Sequence, residues 1–426
     1  MIITSKCMIT IFLASVLSLP CVAADLEYEI RIGASRSDNV ARTDTAEIEE
    51  TIALLGLELD LQHESRRLEV SIVTDLEYRN YTGDTFDNEV VGSLNADLTL
   101  QIAPDILSWV VQDQFGNLQT NPFQADTAFN RQNINRFSTG PDLRIRMGSV
   151  TSINLGGRYY INTFEVSDID SDVLNGRLSI VRALSPRRLL SLNVSASRIE
   201  FDNTVLNSSY DRQTAYIGFQ SEISRGSLTV NLGYNELHDN GVVIDGNLIN
   251  VEWTRELSAS TTFRLAYDQG LTDASDSLDR IQALGRRGFG GVQRTPGVSD
   301  PFENRRFSAV INFARDGNGF FISALYNEDE YLTLSTLDRD WSEFRAGVSR
   351  VFGSAWRFRL DGGFRKTEFV LSGREDDDLT MRIGLSRQIT RTLGINLDFV
   401  RFDRDSSESG SNYVENVASL TFSFSR

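Results

Sequence analysis

Two histidines, His63 and His238, are the only ones in the 426 residues, so histidine-based acid–base or triad chemistry has just those starting points. Neither has a serine or aspartate at a spacing that marks a triad. Both read as exposed residues, His63 in a tight turn and His238 at the start of a long loop. Asp168, Asp170 and Asp172 alternate like the opening of a calcium loop, but the later glycine and bidentate glutamate of an EF-hand are missing. The acidic run 375–378 has the same character. Both runs read as solvated loops, the alternative being divalent cations shared with lipopolysaccharide phosphates. No catalytic residue, metal site or cofactor is expected.

The remaining candidates are charges on alternating positions of extended segments. Glu58, Asp60, Glu69 and Asp97 fall on the polar side of early segments. Arg144, Arg146 and Arg158 do so in the middle, followed by Glu222, Glu252 and Arg264. Arg345, Arg357, Arg359 and Arg382 come late. Lysine is confined to Lys6 and Lys366, so nearly every cation is arginine, which keeps its charge in a low-dielectric wall and pairs bidentately with carboxylates. Two readings stay open. The charges could form a salt-bridge network that fills and stiffens an interior. Alternatively, arginine and acidic arcs could face one another across a wet pore and select anionic or sugar-like solutes. In the second reading Arg144, Arg146, Arg158, Glu252, Arg264, Arg345, Arg357, Arg359 and Arg382 line the pore.

These positions sit on period-two runs, and period two puts successive side chains on opposite faces of a strand. About twenty such runs follow residue 25, eighteen being the alternative. They include 51–61, 67–79, 91–102, 140–149, 152–163, 227–237, 355–366 and 412–425. Most have ten residues or more, the length of a tilted membrane strand rather than of a globular one. Their connections alternate strictly. Tight turns such as 103–105, 185–188 and 316–318 trade places with long polar stretches such as 37–50, 117–137, 238–246, 270–303 and 371–378. Short turns at one end and long loops at the other mark an outer-membrane barrel. An even strand count puts both termini on the short-turn side. The connection 270–303 is the longest; 275–284 reads as a short helix, and the loop either constricts the lumen or caps it from outside.

The final run carries Leu420, Phe422 and Phe424 on one face and Ser419, Thr421 and Ser423 on the other. It reads as the closing strand, with those three apolar residues as membrane anchor and assembly signal. Assembly signals of this kind usually end on the aromatic, whereas here Ser425 and Arg426 follow Phe424.

The N-terminus reads as a cleaved secretory signal over 1–24: Lys6, a short apolar stretch over 8–19, and small residues at Val22, Ala23 and Ala24. Acylation of Cys21 fits poorly with Ser18, Leu19 and Pro20 before it. Cleavage would remove both cysteines, Cys7 and Cys21, leaving no disulfide chemistry. No later apolar run is long enough for a transmembrane helix. The formal charge of −17 disfavours nucleic acid as a partner. Seven prolines and no linker-like stretch point to one domain over 25–426.

The segment 130–142, Asn-Arg-Gln-Asn-Ile-Asn-Arg-Phe-Ser-Thr-Gly-Pro-Asp, preceded by Asn121 and Pro122 and followed by a strand over 143–148, resembles a group of outer-membrane β-barrel porins associated with exopolysaccharide or exosortase systems. The resemblance implies a barrel serving polysaccharide export or surface assembly, with export components as partners and no catalytic residues. The expectation is therefore one transmembrane antiparallel up-and-down β-barrel in the bacterial outer membrane. It would act as a channel in contact with lipid, lipopolysaccharide and the assembly machinery, or else as a non-conducting docking barrel.

Overall fold

The computed structural model describes residues 25–204, 207–239, 241–276, 278, 298–353 and 355–426. The expected signal segment 1–24 lies outside them. Among the described residues there are twenty strands. The first five are β1 (Asp25–Ser37), β2 (Glu50–Glu64), β3 (Leu68–Tyr81), β4 (Glu89–Ala103) and β5 (Leu107–Gln119). Next come β6 (Arg131–Arg146), β7 (Thr151–Phe164), β8 (Ser171–Ser185), β9 (Arg188–Phe201) and β10 (Tyr210–Ile223). They continue with β11 (Gly226–Asp239), β12 (Val242–Ser258), β13 (Thr261–Thr272), β14 (Phe302–Arg315) and β15 (Asn318–Tyr331). The last are β16 (Arg339–Phe352), β17 (Trp356–Phe369), β18 (Arg374–Gln388), β19 (Leu393–Ser406) and β20 (Tyr413–Ser425).

Each strand pairs antiparallel with its sequence neighbours, and β20 returns to pair with β1 from Glu29↔Ser425 to Ser37↔Val417. The result is a closed barrel. Closure leaves no unpaired edge, which a sheet in lipid requires because no water is present to satisfy free N–H and C=O groups.

The registers link the apolar positions into one belt. Ile32 lies opposite Leu55 and Phe422, Ile217 opposite Leu192 and Leu232, and Leu397 opposite Leu420. All of these side chains are exposed, as expected of a lipid-facing surface, and the alternate positions face the lumen. At the seam, Gly33 is required by close approach: a Cβ there would fall on the carbonyl oxygen of Leu420.

The strands run from 12 residues in β13 to 17 in β12, more than the roughly 9–11 that span a bilayer. The excess lies at the loop end and accounts for two corrections. The expected long loop 238–246 is mostly strand, because the β11–β12 ladder continues to Asp239↔Val242. The expected loop 371–378 turns at 370–373, with the β17–β18 ladder reaching Phe369↔Arg374. Polar residues on both faces mark where a strand leaves the hydrocarbon, not where it ends. For the same reason β6 begins at Arg131 rather than near 140, and the acidic run 375–378 lies inside β18. At the opposite end the turns are tight: Asp316 (φ 51°) and Gly317 (φ 75°) both take the left-handed conformation that a two-residue hairpin favours.

Candidate functional site

The lumen has two unlike halves. In the half nearest the short turns, the registers put Glu58, Asp60, Glu69 and Asp97 on the lumen face. They do the same for Arg144, Arg146, Arg158, Glu222, Glu252 and Arg264. Arg345, Arg357, Arg359 and Arg382 share that face on the far wall. Acidic side chains thus gather on β1–β4. Arginines gather on β6–β8 and β16–β18, interspersed with a few carboxylates.

Their surroundings differ. Arg158 is buried; its Nη2 lies 2.6 Å from Asp142 Oδ2, and its Nη1 donates to the carbonyls of Gly157 and Pro141. Arg177 of β8 takes the other Asp142 oxygen at 2.7 Å, a partner that sequence reasoning missed although it shares the parity of Asn175. Arg359 donates to Asp361 at 2.6 Å. Arg264 and Arg345 approach Glu252 and Glu343 at 3.6 Å, and Arg146 lies 3.4 Å from Asp105. Arg382 sits directly opposite Asp361 in the ladder. Among the described residues, Arg144 and Arg357 have no ion-pair partner. The side chains of Arg146 and Arg359 are 59% and 50% exposed, so this half is wet.

At the loop end the lumen is filled. On one side Leu118, Ile134, Phe164, Val173, Ile199 and Leu237 turn inward and pack against Ile169, Ala274 and Leu278. The last two belong to the connection 273–301, so the described start of that loop folds into the mouth. Ala274–Asp276 forms a 3-10 turn, and the rest of the expected helix 275–284, apart from Leu278, lies outside the described residues. Asp273 anchors this segment by accepting from Tyr210 Oη at 2.7 Å and Arg212 Nη1 at 3.1 Å.

The other side is a layer of buried ion pairs. Arg339 reaches Asp329 at 3.2 Å, Arg374 reaches Asp376 at 2.8 Å, and Arg404 reaches Asp378 at 2.7 Å. The side chains of Arg339 and Arg404 are 3% and 2% exposed.

Between the two lies a strap, residues 120–130. Asn130 is its staple: Oδ1 accepts from Asn121 N and Thr120 Oγ1, both at 2.8 Å, and Nδ2 donates to Asn121 O and Ala125 O. Arg131 ties its base to Glu89 and Asp126 at 2.8 Å. At its tip, the Phe123 ring packs on Phe369 from the opposite wall. Arg42, from connection 38–49, donates to Asp126 O at 2.8 Å and to Glu415 at 2.7 Å. Burial disfavours the Arg42 charge, yet Tyr413, Glu415 and Asp126 outweigh it and raise the guanidinium above its usual range. Asn121 and Asn130, quoted above for the family resemblance, are thus the residues that shape the strap. Phe123, Arg42 and Glu415 were not singled out in the sequence; nothing local marks a contact that spans the ring, as Phe123 makes, or one that crosses the β1–β20 seam, as Arg42 and Glu415 make.

The other sequence candidates separate. His63 lies near the end of β2 and His238 within β11, not in a turn and a loop. They occupy opposite ends of different walls and share no site. Asp168 accepts from Asn203 and Asp170 accepts from Phe164 N at 2.7 Å, so each closes a protein loop. Asp376 and Asp378 face the lumen while Glu375 pairs with Lys366 at 2.7 Å outside. Leu420, Phe422 and Phe424 face outward on β20, with the Phe424 ring 6.4 Å from that of Tyr28.

No family model matches the chain, and no curated protein matches its sequence. Solved structures do match its shape. A mutant of the ferric enterobactin receptor PfeA from Pseudomonas aeruginosa aligns with a TM-score of 0.51 and 7% identity, covering 95% of this chain and 81% of that one. The siderophore receptor PirA from Acinetobacter baumannii aligns with a TM-score of 0.52 and 9% identity over the same shares. OccK2 (OpdF) from Pseudomonas aeruginosa aligns at 0.40 and 10% identity, over 94% and 98%. The fold is that of an outer-membrane β-barrel.

Proposed function

We propose that the protein is an outer-membrane channel for small hydrophilic solutes, biased toward anions, whose outer mouth is held shut at rest by the strap 120–130. One contrast carries this reading. The periplasmic half of the lumen keeps Arg144, Arg146, Arg357 and Arg359 exposed to water, although Arg158 there is buried, whereas the outer half buries its ion pairs under loop residues. A barrel used only as a staple has no need of the wet half, and a constitutively open pore has no need of the buried one. The arginine arcs of β6–β8 and β16–β18 stand across the ring from each other with the acidic arc of β1–β4 between them, an uneven field that orders a charged solute as it passes. Barrels on either side of this strand number include both aqueous channels and plugged transporters.

A second reading has its own support in the buried layer: a non-conducting docking barrel of an envelope polysaccharide system, with export components as partners. Both readings put the chain in the outer membrane after export, against lipid and lipopolysaccharide, with Phe422 and Phe424 recognised by the assembly machinery. Planar-bilayer recording separates them. The channel reading expects discrete openings that multiply when the strap is removed, and silence in both proteins would leave the docking barrel.

A further inference from the structure

One sector of the lumen wall is free of charge. On β9 to β12, every lumen-facing residue within 191–197, 214–220, 227–235 and 246–250 is neutral. Four strands at about 4.8 Å spacing make this patch roughly 15 Å wide, and the five residues per strand that all four share make it roughly 15 Å tall, with Glu252 at one end and Arg212 at the other. It faces the same water as the acidic wall of β1–β4 and the arginines of β16–β18, so wetting alone does not account for its neutrality.

The patch is built from amide and hydroxyl groups in pairs. Asn193 Nδ2 donates to Ser191 Oγ at 2.8 Å, while its Oδ1 accepts from Ser179 Oγ at 2.6 Å. Asn231 donates to Asn250 at 3.0 Å. Gly218 sits between these groups, where a Cβ would meet both Ser191 Oγ and Asn231 Oδ1, so the glycine lets the two rows close up. Tyr216 lies at the centre, opposite Asn193 on one neighbour and Gly233 on the other. Gly233 clears space for it, since a Cβ there would strike the Tyr216 side chain. The tyrosine is only partly buried.

We infer that this wall is a contact track for carbohydrate: uncharged, polyhydroxylated chains whose hydroxyls exchange hydrogen bonds with the Asn/Ser rows and whose C–H faces lie on Tyr216. Amide–hydroxyl pairs keep spare lone pairs and protons after bonding to each other, and a neutral wall binds a sugar without the larger cost of stripping water from charged groups. An aromatic face supplies the apolar complement. The inference deepens the channel reading and rests on its open lumen, naming the solute class that the charged walls leave undefined.

The test uses the full barrel folded in detergent, where binding can be read without conduction. A short uncharged malto-oligosaccharide is titrated by calorimetry, with an oligogalacturonate of equal length in parallel. The expected result is saturable malto-oligosaccharide binding that is indifferent to salt. Tyr216→Ala should weaken it roughly five- to tenfold, and Tyr216→Phe should retain it. Asn193→Leu provides an independent loss on the neighbouring strand, with heat-modifiable migration confirming that each barrel is folded. Absence of binding overturns the inference, as does binding confined to the oligogalacturonate and abolished by salt, which would assign recognition to the arginines. A protein that binds the sugar yet never conducts overturns the channel reading alone; one that conducts without binding overturns only the track.

Discussion

Phe123 and Phe369 meet ring to ring across the mouth of the barrel, their centroids 4.7 Å apart, although one lies between β5 and β6 and the other ends β17. Those strands stand on nearly opposite walls of a twenty-strand ring, so the contact fixes the strap across the opening. An aromatic pair is worth about 0.5–1.5 kcal/mol beyond its burial. Phe123→Ala should therefore raise the open probability of reconstituted channels roughly three- to tenfold, read by single-channel recording.

The second fastening is ionic. Arg42 and Glu415 are both largely buried, and removing one partner of a buried pair leaves the other uncompensated at a cost of about 3–5 kcal/mol. Glu415→Gln should free connection 38–49 and the strap together. Limited proteolysis of folded protein should then cut within 38–49 much faster than in wild type, while the barrel band stays intact. Equal cutting rates would show that this pair does not hold the mouth.

Arg357 is exposed and Arg359 half-exposed on the tight-turn end of β17, so in the proposed channel they would act on passing ions rather than on the fold. Reversing both, Arg357→Glu with Arg359→Glu, should move the anion-to-cation permeability ratio toward cations, measured as reversal potential in a salt gradient. Conductance should change far less than selectivity.

Asp170 gives a pH dependence with a definite sign. Burial raises its carboxyl above the usual value, the backbone bond from Phe164 opposes the shift, and Asp202 and Asp168 add to it. A carboxyl with a raised folded-state pKa prefers its proton in the folded loop. The loop is therefore most stable in acid and loses stability as pH rises from the unfolded pKa through the folded one. Asp170→Asn keeps an oxygen to accept from Phe164 and removes the charge. It should protect loops 165–170 and 202–209 from protease at neutral pH and have no effect in acid.

At the seam, Gly33→Val would force a side chain onto the backbone of β20. It should sharply cut the yield of heat-modifiable barrel, with Gly33→Ala intermediate. Phe424→Ser should lower that yield by weakening assembly recognition, despite Ser425 and Arg426 beyond it. Arg426 pairs through its backbone with Tyr28, N to O at 3.0 Å. Wild-type assembly of Phe424→Ser would remove the proposed role of that ring.

What the sequence made legible follows from what lipid demands. In hydrocarbon, alternation is compulsory, so strands such as β11 and β17 and the faces of Glu58, Arg264 and Arg357 could be read from parity alone. Above the membrane that demand lapses. The hairpin end 374–378 is strand but polar on both faces, and it passed for a loop. The strap escaped for a different reason: Phe123 and Phe369 meet only through the diameter of the closed ring, and Arg42 and Glu415 only because β20 returns to β1. Asn121 and Asn130 were noticed as a pattern, but only the folded loop shows that they shape the strap.

The central claim is a conduit closed at its outer mouth. It is tested most directly by single-channel recording of wild type, of a variant lacking 121–127, and of one in which the connection 273–301 is also shortened. Sparse openings in wild type, followed by frequent anion-preferring openings as strap and loop are removed, are the predicted result. Folded barrels that remain silent in all three forms would contradict it.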